Sequence, residues 1–177
     1  MARTTFQGPV RSLGGFYTQG PNTVVNAPNG TNTLTLTVAD NAGRTLRTND
    51  ATLIITLPAI IATADPVTSG PGADPNTTNN IGATYRIYVD TTASALAIKT
   101  DGTDKFVGSL LMIDTDSSGA VTGYAPAASN DVINLNGTTT GGIAGSWVEI
   151  TAIAANEYAV TGVLLGSGSV ATPFADA

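Results

Sequence analysis

The chain has 177 residues, no cysteine and no histidine, with 7 basic residues against 13 acidic ones and a net charge of −6. These absences exclude disulfides, thiolate metal sites, a Ser-His-Asp triad and the commonest zinc ligand. The acidic balance excludes broad phosphate binding, which needs clustered Lys and Arg, so no nucleic-acid partner is expected.

Hydrophobic residues make up 42% of the chain, enough for a core, while charged residues make up only 11%, well below the usual quarter. Thr, Val, Gly and Asn fill the gap and favour strands and turns over helices. The opening MARTTFQGP lacks the apolar run of a signal peptide. The most apolar stretch, Leu53 to Ala64, is interrupted by Pro58 and Thr63, so no membrane span is expected.

Residues Met1 to Thr31 form the first segment. It carries Arg3 and Arg11 and no acid, since the first carboxylate is Asp40. Gly8-Pro9, Gly14-Gly15, Gly20-Pro21 and Pro28-Asn29-Gly30 break regular structure, yet Phe6, Val10, Leu13, Phe16 and Tyr17 are apolar. This reads as an extended N-terminal arm. Such an arm either orders on a partner or packs on its own domain or a neighbouring subunit.

A β domain is expected over residues 32–177. Thr33 to Val38 alternates, with Leu34, Leu36 and Val38 on one face. Asp40 to Gly43 is a turn, and Arg44 to Arg47 is a short strand. Thr52 to Leu57 is expected to be buried on both faces and to end at Pro58. Ala62 to Gly82 is the longest irregular stretch, read as an exposed projection.

Ala83 to Asp90 is a strong strand, with Tyr85, Ile87 and Val89 opposite Thr84, Arg86 and Tyr88. Leu96 and Ile98 continue the pattern, and Asp101 to Asp104 reads as a hairpin-type turn. Leu110 to Ile113 and Val121 to Tyr124 flank the turn Asp116 to Gly119. Asp131 to Gly162 then supplies three strands, with the only Trp on the second and a Thr/Gly turn region at Gly137 to Gly145. Phe174 is a candidate anchor in a small, polar tail. The count of eight or nine strands suits an all-β jelly roll or similar β-sandwich.

The candidate chemical sites are weak. Asp114 to Gly119 resembles the opening of a calcium loop, but the twelfth position is Ala125 where the loop needs Glu, so an Asx-type turn is the reading and no metal is expected. Glu149 and Glu157 are the only glutamates, and nothing places a second acid opposite Glu149 as a glycosidase would require. No nucleophile elbow or phosphate loop is present. No catalytic residue and no cofactor is expected, so the chain reads as a non-enzyme. Trp147 reads as a core or inter-subunit packing residue.

Three sets of residues carry a family resemblance. Thr5-Phe6-Gln7-Gly8-Pro9-Val10-Arg11-Ser12 with Gly15-Phe16 resembles the N-terminal segment of tailed-bacteriophage head decoration (capsid cement) proteins. Leu36 to Leu46 and Ile55 to Ala59 are similar to the leading strands of small virion-associated jelly-roll modules. Asn134 to Gly142, Trp147 to Ile150 and Tyr158 to Gly162 are similar to stretches of the same kind of module. The resemblance implies a structural virion protein on the outer capsid surface, trimeric, that clamps the major capsid protein against the pressure of packaged DNA. It also implies that Arg3 and Arg11 pair with capsid carboxylates while Phe6, Phe16 and Tyr17 anchor in apolar pockets. Related modules occur in phage fibres and tails, so the alternative is a host-glycan-binding module using Trp147, Tyr124 or the loop Pro66 to Asn80.

Overall fold

The computed structural model describes residues 23–25, 32–62, 79–116 and 119–177. The strands are β1 (Thr23–Val25), β2 (Thr33–Thr35), β3 (Thr45–Thr48), β4 (Ile54–Thr56), β5 (Thr84–Val89) and β6 (Leu96–Lys99), then β7 (Lys105–Gly108), β8 (Leu110–Asp114), β9 (Val121–Tyr124), β10 (Val132–Leu135), β11 (Trp147–Ala154), β12 (Glu157–Gly166) and β13 (Phe174–Ala175). The one helical element among the described residues is the turn α1 (Val38–Asn41).

The strands form two sheets facing each other across a common core. The larger runs β1-β3-β5-β11-β12-β8-β9, with β7 also on β12; the smaller runs β13-β10-β6-β4-β2. The all-β sandwich expected from the alternation is what the chain forms.

The connection pattern differs from the expected jelly roll, an antiparallel architecture. The first six strands alternate between sheets, and each lies parallel on the one a coil earlier: β1, β3 and β5 in the large sheet, β2, β4 and β6 in the small one. The chain thus winds through three coils before any antiparallel strand appears. Parallel strands need a crossover, and here the opposite sheet supplies it. The end of the coil is closed by antiparallel strands, β10 on β6 and β11 on β5.

Register makes the coil a core. In the small sheet Leu34, Ile55, Ile98, Ile133 and Phe174 stand side by side across all five strands. Ile55, Ile98 and Ile133 are fully buried. In the large sheet Leu46, Ile87 and Val148 form the facing row, and each is fully buried. Gly162 continues that row on β12. It is Gly because an added Cβ would collide with the Trp147 carbonyl and lie 3.1 Å from Leu110 Cδ2.

Four local expectations need correction. Alternation stops at Leu36, because Thr37 caps a helical turn: its hydroxyl accepts from the Asp40 amide at 3.1 Å, and its amide donates to Asn41 Oδ1 at 2.7 Å. Thr52 to Leu57 is fully buried on one face only, since Ile54 and Thr56 are half-exposed. Asp101 to Asp104 is not a hairpin turn, because it carries the chain from β6 in the small sheet to β7 in the large one. The strands are also shorter and more numerous than eight or nine.

The connection from β10 to β11 crosses between sheets through a hydrogen-bonded knot. Asn136 Oδ1 accepts from the Thr138 and Thr140 amides at 2.9 and 3.0 Å, while Asn136 Nδ2 donates to Thr139 Oγ1 at 3.0 Å. Gly137 sits at φ +75°, where an L side chain is strained, and its amide donates to the Gly141 carbonyl at 2.7 Å. The C-terminus is tied in as well. Asp131 Oδ1 accepts from the Ala177 amide at 2.8 Å, and Asp131 Oδ2 meets Lys105 Nζ at 3.1 Å.

Two outcomes are expected. Ile98→Ala should cost roughly 2–5 kcal/mol and lower Tm by roughly 5–15 °C in calorimetry, with Gly162→Ala also strongly destabilising and exposed Thr161→Ala within about 0.5 kcal/mol of the parent. The second concerns acid. Burial opposes ionisation of Asp131, but the Ala177 amide and the Lys105 ammonium outweigh it and hold the carboxyl below its ordinary range. Its contribution is therefore present above the unfolded carboxyl value of about 4 and lost as pH falls through the lower folded value. Denaturation of Asp131→Asn should show a deficit at neutral pH that closes in that acid window.

Candidate functional site

The outer face of the large sheet is the surface with the most distinctive chemistry. Strand alternation sends Arg47, Tyr88, Trp147, Val163, Leu111 and Gly123 outward, and register sets them in one row across six strands. A second row holds Thr45, Arg86, Glu149 and Thr161.

The face divides into two halves. On β3, β5 and β11 it is polar and internally neutralised. Arg86 reaches Glu149 Oε2 with Nε at 3.0 Å and Nη2 at 2.7 Å, and Arg47 Nη2 meets Asp90 Oδ1 at 2.7 Å. The Asp90 hydrogen bond, and then its charge, push the Arg47 guanidinium further above its ordinary value. The Arg86 guanidinium also lies over the Trp147 ring, 5.4 Å from its centroid. From Val163 and Leu165 on β12 across β8 and β9 the face is apolar and uncharged, while Glu157 and Thr161 stand exposed earlier on β12. Leu111 and Val121 are 47% and 59% exposed, and Ile113, Val163 and Leu165 are half-buried beside them.

Trp147 is therefore neither a core residue nor an open platform. It is half-buried on the outer face, with a cation over its ring. Glu149 does stand on one strand face with Trp147 and Thr151, but it is bonded to Arg86.

Asp101, Asp104, Asp114 and Asp116 are held in hydrogen bonds to backbone amides. Asp101 Oδ1 accepts from the Thr103 and Asp104 amides at 2.8 and 3.0 Å. Asp104, expected in a solvated turn, is 1% exposed and accepts from the Ile60 amide at 2.9 Å. Burial raises its pKa, a shift that this amide partly opposes. Asp114 and Asp116 form an Asx-type turn: Asp114 Oδ1 accepts from the Asp116 amide at 3.2 Å, and Asp116 Oδ2 accepts from the Gly168 amide at 2.9 Å. The hydrogen bonds from Asp114 and Gly168 lower the Asp116 pKa. Among the described residues no group of three or more His, Cys, Asp or Glu side chains is placed to hold a metal ion.

A shallow depression of about 360 Å³ lies elsewhere, lined in part by Lys105, Pro126, Asn156 and Glu157. The expected partner-binding residues Arg3, Phe6, Arg11, Phe16 and Tyr17 lie outside the described residues, as do most of the loop Pro66 to Asn80 and the arm of which they are part. The apolar half of the outer face is a candidate surface that sequence reading missed. Its signal was present in the unpaired outward residues Leu111, Val121 and Val163, but those strands read as ordinary core alternation. No family model, no curated protein and no solved structure matches this chain.

Arg86→Ala should uncover the Trp147 ring and shift its fluorescence emission to longer wavelength. The stability loss in denaturant should stay within about 1–2 kcal/mol, because the ion pair and the cation–ring contact are both solvent-exposed.

Proposed function

We propose that the chain is a structural virion protein: a capsid decoration protein that binds the outer surface of the major capsid protein shell and stabilises it against internal DNA pressure. The observation that carries the reading is the broad outer sheet face whose apolar half exposes Leu111 and Val121. A flat, uncharged apolar strip suits packing against another protein surface rather than enclosure of a small substrate. The resemblance of the N-terminal segment to cement proteins, and of Asn134 to Gly142, Trp147 to Ile150 and Tyr158 to Gly162 to small virion-associated modules, suggests the partner class. On this reading Arg3 and Arg11 meet capsid carboxylates, and Phe6, Phe16 and Tyr17 are the apolar anchors. Many copies on one shell give avidity, so each single contact can be modest.

The glycan-binding alternative has less support. A sugar stacks on an open aromatic face, and Arg86 occupies that position over Trp147.

The test is co-sedimentation with mature, DNA-filled heads that lack the protein, in moderate salt. The expected result is saturable binding at a fixed ratio to the major capsid protein, lost on deleting residues 2–20 while circular dichroism stays unchanged. Protein that remains in the supernatant would overturn the capsid reading and favour a glycan array as the next experiment.

A further inference from the structure

β9 is the open edge of the large sheet, with β8 as its one ladder partner among the described residues. Native edge strands are usually blunted by Lys, Pro, a bulge or a covering loop. The β9 residues Val121, Thr122, Gly123 and Tyr124 include neither charge nor Pro. The Asp114 amide donates to the Ala120 carbonyl at 2.8 Å, which sets the alternation of the ladder. Ala120, Thr122 and Tyr124 therefore direct their backbone groups to β8, and Val121 and Gly123 direct theirs to the open edge.

The side chains of this edge form a knob and a notch. Val121 projects outward and is 59% exposed. Gly123 lies on the same face opposite Leu111, and a Cβ there would lie 3.7 Å from Leu111 Cδ2, in ordinary contact. Having no side chain, Gly123 leaves Leu111 uncovered.

We propose that β9 pairs antiparallel with β9 of a second copy of this chain, about a twofold axis at Thr122. Val121 of each copy then stands opposite Gly123 of the other, on the same face. The two residues exchange both backbone hydrogen bonds, and each Val121 fills the notch over the partner copy's Leu111. Register favours a second copy as the occupant, because Val121 and Gly123 flank Thr122 symmetrically and each supplies what the other's counterpart lacks. The chain carries a net charge of −6, so two copies repel in general. This strip has no charge of either sign, so it is self-complementary in an isologous contact. The arrangement is twofold, in place of the threefold one that the cement resemblance implies, and it does not depend on the capsid reading.

Sedimentation velocity of the full chain alone, over a wide concentration range, tests the pairing without any capsid. A concentration-dependent dimer is expected. Val121→Lys should raise its dissociation constant roughly tenfold or more with unchanged circular dichroism, while Thr161→Lys, opposite Glu149 on the same outer face, leaves it unchanged. A monomer at every concentration, a trimer, or a folded Val121→Lys that still dimerises would overturn the proposal.

Discussion

The structure depends on how a parallel coil ends. Each coil pairs its backbone with the coil before it, so the last one presents two raw edges, β5 in one sheet and β6 in the other. Buried backbone donors and acceptors left unpaired cost about as much as lost hydrogen bonds. Both edges are closed by the same stretch of chain: β10 covers β6 and β11 covers β5. The Asn136 knot lies between those two strands and carries the chain from one sheet to the other. Its side chain adds two amide contacts to the backbone bond between Gly137 and Gly141. The C-terminal strand β13 then covers the outer side of β10, and Asp131 secures it.

Alternation made most strands legible. Tyr85, Ile87 and Val89 point inward and Arg86 points outward, as period two requires, and Asp131 to Gly162 holds the three expected strands with their turns. Period two has no direction, however. Leu34, Ile55 and Ile98 would read the same in an antiparallel sandwich, so the parallel coil was hidden and a jelly roll was the natural inference. Asp101 to Asp104 has the composition of a hairpin turn, and only the sheet to which each flanking strand belongs shows otherwise. The helical turn at Val38 overrides good strand residues because three side-chain and backbone bonds around Thr37 and Asn41 close it locally.

The outer face was the least legible part. Arg86 and Glu149 are 63 residues apart in sequence, and register alone brings them opposite each other. Once paired, they neutralise one half of the face and hold a cation against Trp147. Around Leu111, Val121 and Val163 the face has no charged residue to neutralise. A surface divided in this way separates two roles that sequence composition averages together: a polar half already satisfied within the chain, and an apolar half with unsatisfied contact area. Electrostatics then does little to attract a partner to the apolar half, and shape and desolvation decide what binds there.

The late position of the closing strands has a consequence for synthesis. The chain leaves the ribosome from its N-terminus, so the three coils are complete in sequence once Lys99 has emerged, while β11 extends beyond Ile150. At roughly 5–20 residues per second, the intervening half-hundred residues take on the order of 3–10 seconds. Until Leu135 has emerged a nascent coil offers two uncovered edges, in the rows of Ile98 and Ile87, and the β5 edge stays uncovered until β11 follows. Those edges are templates for strands of neighbouring nascent chains, and spacing between ribosomes on one message becomes a physical parameter of the yield.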